Sequence, residues 1–215
     1  MGDIGLHQLL PIPLRDELRQ KPSDIWNRDC TWVQGDCIHI RAPSGTGKTT
    51  LIHFLFRLRQ DYEGKVLLGG EDLRTLGETQ LARLRQRHFS IVFQDLRLFP
   101  ALTTKENLEV KSTLTAPLPD SRIEHYADLL DLSGKLGDPA GRLSYGEQQR
   151  VAIIRSLLQP FDWILLDEPF SHLDRENIRK ASGLITSVCK ERAAGLILVD
   201  LEDDDHFVYT RKLRL

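Results

Sequence analysis

The stretch Ala42–Thr50 reads "APSGTGKTT" and decides the class of fold. Gly45 and Gly47 let the backbone turn so that its N–H groups point inward, and a helix starting near Lys48 adds its positive end. Ser44, Gly45, Thr46, Gly47, Lys48, Thr49 and Thr50 together form a cradle for phosphate. Lys48 can reach the β- and γ-phosphates of a nucleotide, and the Thr49 hydroxyl can ligate Mg²⁺. The usual pattern opens on glycine, and this chain has Ala42 there. A glycine-rich turn with an unrelated lysine is the bland alternative. A strand-like run before the stretch and a helical run after it argue against that alternative.

On either side of the loop, "CIHIR" (Cys37–Arg41) reads as the strand that feeds it, and "LIHFLFRLRQ" after it has helical spacing with an apolar face. "KVLLGGEDL" reads as a strand, a Gly-Gly turn and a continuation, and "FSIVFQ" as a strand ending in a polar turn. From about Phe99 to Gly141 the pattern is helical, interrupted by "TAPLPDS" and "GDPAG". "DWILLDE" and "GLILVD" are apolar strands that end in acids. The N-terminal stretch to about Lys21, with Pro11 and Pro13, reads as an edge strand and its loop. Strands alternating with helices predict an α/β fold around a parallel sheet, with a helical subdomain inserted into it.

The chain has 215 residues, 40% hydrophobic and 28% charged, which suits one large domain or one domain with an insert. A net charge of −2 argues against general affinity for nucleic acid or anionic membrane. Arg74, Arg83, Arg85 and Arg87 read as a solvated helix face. Three cysteines without a CxxC pair suit a reducing compartment. No secretory signal is expected, and no apolar run approaches the roughly 18 residues of a membrane span. Action at a membrane therefore requires a partner.

Two further stretches carry chemistry. In "WILLDEPF" (Trp163–Phe170), Asp167 and Glu168 follow an apolar strand, and ligands of parallel sheets gather at that end. Asp167 is suited to hold Mg²⁺ and Glu168 to polarise an attacking water. In "LSYGEQQR" (Leu143–Arg150), Ser144 opens an amphipathic helix with Glu147 in its first turn, a second anion-binding end. One nucleotide does not need two such ends in one chain, so the second makes sense if it closes on a neighbour's nucleotide.

The order "APSGTGKTT", "VFQD", "LSYGEQQR", "WILLDEP", "SHLD" resembles the ATPase subunit of ABC transporters over nearly the whole chain. The resemblance implies a P-loop NTPase core with an antiparallel β edge. The core would span residues 1–94 and 145–215, and a helical subdomain residues 95–144. It implies two copies sandwiching two ATP molecules with Mg²⁺, each ATP between one phosphate loop and the other copy's signature turn. Lys48, Gln94 and Glu168 are then catalytic, with Gln94 also contacting Mg²⁺ beside Thr49 and Asp167. Ser144 and Gly146 engage the partner's γ-phosphate, and Asp174 of "SHLD" lies across the dimer interface. The implied function couples ATP hydrolysis to a membrane permease from the cytoplasmic face. "VFQDLRLFPALTTKENL" looks most like the branch serving lipoprotein release, MacB-type export and bacterial cell division. Soluble ABC ATPases of DNA repair or translation usually carry coiled-coil inserts or tandem units, for which this chain has no room.

Three departures from that family stand out. Tyr145 occupies the signature's usual first glycine, where a ring can crowd the partner's nucleotide. No Tyr, Phe or Trp precedes Trp26 to stack on adenine, which leaves Trp26 or Trp32 as substitutes. Aligning "LILV" with the family's last sheet strand puts Leu201 where a histidine usually reaches the γ-phosphate. The acids after it (Glu202, Asp203, Asp204, Asp205) read as a solvated loop. Tyr145 and Leu201 also admit an alternative, an ATP-binding regulatory subunit with little hydrolysis.

Overall fold

The computed structural model describes residues 2–112, 120–203 and 205–215. The chain runs β1 (Ile4–Pro11), α1 (Arg15–Leu18), β2 (Asp29–Trp32), β3 (Cys37–Arg41), α2 (Lys48–Leu55), β4 (Tyr62–Leu68) and β5 (Glu71–Asp72). It continues through α3 (Glu78–Arg87), β6 (Phe89–Val92), α4 (Thr104–Ser112), α5 (Asp120–Leu129), α6 (Tyr145–Leu157), β7 (Trp163–Asp167), α7 (Arg175–Arg192), β8 (Gly195–Asp200) and β9 (Arg211–Arg214). The "TAPLPDS" interruption lies largely outside the described residues, as does Asp204 of the acidic loop.

Two sheets form. One has the order β6-β7-β8-β3-β9, with every pair parallel. The other has the order β2-β1-β4-β5, with every pair antiparallel. Parallel strands are covered on both faces, which is why β7 reads as a run without polar alternation: all five of its residues are buried. Successive side chains still leave on opposite sides. Ile164 and Leu166 join Leu196 and Leu198 in one apolar cluster with α6 and α7, which also takes in Leu108 of α4 and Ile123 of α5. Trp163 and Leu165 join the cluster formed by α2 and the antiparallel sheet. α2 is thus pinned between two sheets, and the loop before it is carried on a rigid base.

The N-terminal strand exists but is not an edge. β1 pairs with β2 on one side and β4 on the other. Its prolines are compatible with this because Pro11 is the last residue of the strand and Pro13 lies beyond it, so no interior ladder bond is lost. The arginine face is also not uniformly solvated. Arg85 turns inward and donates to the carbonyls of Phe56 at 3.2 Å and Arg57 at 2.8 Å. Arg83 and Arg87 are exposed as expected.

Candidate functional site

The phosphate loop leaves β3 tied to its neighbour strand. The Ala42 N–H donates to the Asp200 carbonyl at the end of β8, at 2.9 Å, and Ala42 is fully buried. A small side chain is what that contact tolerates. Gly45 and Gly47 have φ of 81° and 94°, the left-handed region that a side chain disfavours. A Cβ on Gly47 would also lie 3.1 Å from the Trp26 ring. Gly47 is the N-cap of α2 and supplies no side-chain cap, so the N–H groups of the first turn remain available to a ligand.

Within the loop, the threonines divide their work. The Thr46 hydroxyl donates to the Pro43 carbonyl at 2.7 Å and braces the turn. The Thr50 hydroxyl accepts from Arg59 at 3.4 Å. Thr49 instead hydrogen-bonds the Asp167 carboxyl. Ser44 is exposed at the crest of the loop.

Asp167 ends β7 and is 1% exposed. Burial pushes its carboxyl up to about 6, offset in part by the Thr49 hydrogen bond, with the Glu168 charge adding to the rise. Its Oδ1 is buried without a hydrogen-bond partner among the described residues. Asp167, Thr49 and Gln94 line one cavity of about 260 Å³, with His53 and Phe93 in its wall. An orphaned carboxylate oxygen beside a hydroxyl and an amide oxygen suits a hard cation with oxygen ligands, and the residues fit Mg²⁺.

Glu168 follows in a left-handed conformation, φ 48°, which is uncommon for a residue with a side chain. Hydrogen bonds to its backbone hold it there: its N–H donates to Val199 O at 3.0 Å, and its carbonyl accepts from Gln149 Nε2 at 3.3 Å and from the Ser171 N–H at 3.5 Å. The twist turns the carboxylate into the loop. Glu168 Oε1 lies 3.1 Å from Lys48 Nζ, both side chains only 10% exposed. Gln94 Nε2 reaches Glu168 Oε2 at 3.5 Å. The structure therefore brings Lys48, Thr49, Gln94, Asp167 and Glu168 together.

The signature turn stands apart from that cluster. Ser144 is the N-cap of α6 and forms a reciprocal pair with Glu147: Ser144 N and Oγ both lie 2.8 Å from Glu147 Oε2, and the Glu147 N–H donates to Ser144 Oγ at 3.3 Å. These bonds hold the Glu147 carboxyl below its ordinary range. Gly146 packs so closely that a Cβ would lie 3.0 Å from the His172 carbonyl. Tyr145 is 44% exposed and rests on His172, with ring centroids 4.2 Å apart. Asp174 is the N-cap of α7, accepting from the Asn177 N–H at 2.9 Å and its side-chain amide at 2.8 Å.

β8 lies between β3 and β7, so the residue after it sits between the phosphate loop and the acids. That residue is Leu201, 42% exposed. Of the acids beyond it, Glu202, Asp203 and Asp205 are exposed, and Asp203 pairs with Arg41 at 2.9 Å.

The roles of three residues, Trp26, Gln149 and Arg155, escaped the sequence reading. Trp26 is buried beneath the loop, its N–H donating to Thr46 O at 2.9 Å. Trp32 is fully buried, so neither tryptophan offers a face to a base. Gln149 ties α6 to Glu168, and Arg155 donates to Leu96 O at 2.6 Å and Arg97 O at 2.7 Å. A polar residue on the apolar face of α6 was the available signal for Gln149; nothing local marks Trp26.

The description of the ABC transporter family matches residues 27–171. The lipoprotein-releasing system ATP-binding protein LolD 1 of Rhodopseudomonas palustris is 35% identical over 180 residues, covering 82% of this chain and 80% of its own length. The macrolide export ATP-binding/permease protein MacB of Marinobacter nauticus is 33% identical over 184 residues, 84% of this chain but 28% of that longer protein. Among solved structures, the dimeric ABC transporter cassette MJ0796 superposes with a TM-score of 0.80 at 25% identity, covering 93% of this chain and 88% of its own. With the family pattern spanning most of the chain and the phosphate loop, acid pair and signature turn in their places, the chain belongs to the ABC transporter family as one of its ATP-binding ATPase subunits.

Proposed function

We propose that two copies of this chain close around two Mg-ATP molecules, hydrolyse them, and drive a membrane permease from the cytoplasmic face. The observation that carries this reading is the buried cluster in which Glu168 meets Lys48 at 3.1 Å, with Gln94, Thr49 and Asp167 beside it. No helix among the described residues is long and apolar enough to cross a membrane, so transport requires a membrane-spanning partner. The similarity to LolD and MacB favours a permease of the lipoprotein-release or export kind.

In this reading the first-turn N–H groups of α2 and the Lys48 ammonium bind the β- and γ-phosphates. Thr49, Asp167 and Gln94 would hold Mg²⁺, which would offset the negative charge of the phosphate oxygens. Lys48 exchanges Glu168 for phosphate when ATP arrives, and the released carboxylate orients water and takes its proton as the water oxygen attacks the γ-phosphorus. The bond to the β-phosphate oxygen breaks, giving ADP and inorganic phosphate. Ser144 and Gly146 reach the partner copy's γ-phosphate, and Asp174 caps a helix at the interface between copies. Residues 1–94 and 145–215 act as the nucleotide-binding core and residues 95–144 as the helical subdomain that meets the permease. Leucine at position 201 cannot donate to the γ-phosphate, which favours slow turnover that depends on the permease.

Glu168→Gln tests the reading. Removing the base should lower steady-state ATPase by about 10²–10⁴-fold. ATP should bind more tightly, because Lys48 is no longer held by an opposing charge, and light scattering should detect ATP-dependent dimers. Unchanged hydrolysis in this variant would overturn the assignment of Glu168. Monomers at saturating Mg-ATP would overturn the composite site.

A further inference from the structure

A closed circuit of contacts surrounds Glu168. The Tyr145 hydroxyl donates to the Gln94 carbonyl at 3.3 Å. The Gln94 side chain reaches Glu168 Oε2 at 3.5 Å, and the Glu168 carbonyl accepts from Gln149 at 3.3 Å. Gln149 Oε1 accepts the His172 N–H at 3.1 Å, and His172 returns to the Tyr145 ring at 4.2 Å between centroids. Tyr145 is the member that the family pattern does not supply, since a glycine has no side chain to reach the Gln94 carbonyl.

The same helix grips the segment after Gln94. Arg155, further along α6, donates to the carbonyls of Leu96 and Arg97. Both of those residues are left-handed, with φ of 56° and 49°, a conformation that persists only where surrounding contacts enforce it. α6 thus holds residues 94–97 from two points: Tyr145 at its first turn and Arg155 near its end.

We propose that Tyr145 is a positioning residue for ATP hydrolysis, holding the main chain at Gln94 so that the Gln94 side chain stays against Glu168. This rests on the reading of the site given above. The ring on His172 fixes the direction of the phenol, and the hydroxyl transmits that direction to Gln94. In this chain the link between signature turn and Gln94 is therefore made by a side chain within one copy, before any partner arrives. A surface aromatic that merely steadies the start of α6 would act on stability instead.

The experiment compares steady-state Mg-ATP hydrolysis by the purified full chain and its Tyr145→Phe, Gln94→Ala and Tyr145→Phe/Gln94→Ala variants, with Glu168→Gln as control. Tyr145→Phe keeps the ring and removes the hydroxyl. It should lower kcat about three- to tenfold, with KM for ATP and melting temperature unchanged. On the Gln94→Ala background, where the positioned side chain is gone, the same change should have no further effect. A wild-type kcat in Tyr145→Phe would overturn the proposal, as would a loss of the same size on both backgrounds or a change confined to KM or melting temperature. If Glu168→Gln retains wild-type hydrolysis, the underlying site is wrong and the proposal falls with it. If Glu168→Gln is inactive while Tyr145→Phe is normal, only the proposal falls.

Discussion

Two helices, α2 and α6, begin in turns that the proposed function assigns to nucleotide, and their first turns are finished differently. α2 starts at a left-handed glycine that offers no cap, with Lys48 and the acids closing in around it. α6 starts at Ser144, whose hydroxyl and N–H are already engaged by Glu147. An uncapped helix end seeks an anion. A capped end is satisfied and loses little by waiting. The difference fits the two tasks proposed for them: in that reading α2 takes the nucleotide of its own chain, whereas α6 stays stable alone and exchanges its cap for a phosphate only when a second copy closes.

The largest expected effect lies at α2. Lys48→Ala removes a charge-assisted contact to phosphate and should weaken ATP binding by the single copy roughly 10–100-fold, read by equilibrium binding. Ser144→Arg should leave that affinity unchanged and abolish ATP-dependent dimers instead. Equal loss of single-copy affinity in both variants would erase the distinction between the two ends.

A smaller effect is expected from Leu201→His. The new donor stands between the α2 loop and the acid pair, where it acts mainly in the transition state. kcat should rise by about tenfold or more with little change in ATP affinity. Wild type, Leu201→His and Leu201→Ala turning over alike in the assembled complex would remove position 201 from the site.

The smallest effects concern the cap on α6. Glu147→Ala breaks the reciprocal pair and should cost about 1 kcal/mol of stability, measured by denaturant unfolding. The pair should also titrate. The Ser144 hydrogen bonds depress the folded Glu147 carboxyl, so its contribution is present above the unfolded value of about 4.3 and is lost as pH falls through the lower folded value. Stability curves of wild type and Glu147→Ala should therefore converge in acid and separate above about pH 4.3. A gap that stays constant from acid to neutral pH would mean that the carboxylate is not the cap.

Local patterns carried much of this. The glycines of the loop, the apolar β7 run ending in Asp167 and Glu168, and the Gly-Gly turn between β4 and β5 were legible because each depends on short-range backbone preference or on burial of one segment. The misreading of β1 as an edge came from its prolines, which restrict the backbone locally but do not fix how many neighbours a strand has. Whether a strand is flanked on one side or two depends on β2 and β4, which lie at distant positions in the chain. The tryptophans illustrate the same limit. Aromatic identity is visible in sequence, but which face of the loop it supports is not.

Which residues could do the chemistry was written in local stretches: a lysine and hydroxyl on a glycine-rich turn, two acids behind an apolar strand, and a serine-led helix start. How they meet was settled by long-range packing. The order of the parallel strands places Leu201 between loop and acids. The left-handed backbone at Glu168 turns its carboxylate onto Lys48, and the packing of α6 lets Tyr145 reach Gln94. Such contacts join residues far apart in the chain, and their geometry is set by the sum of many packing energies that no single stretch contains.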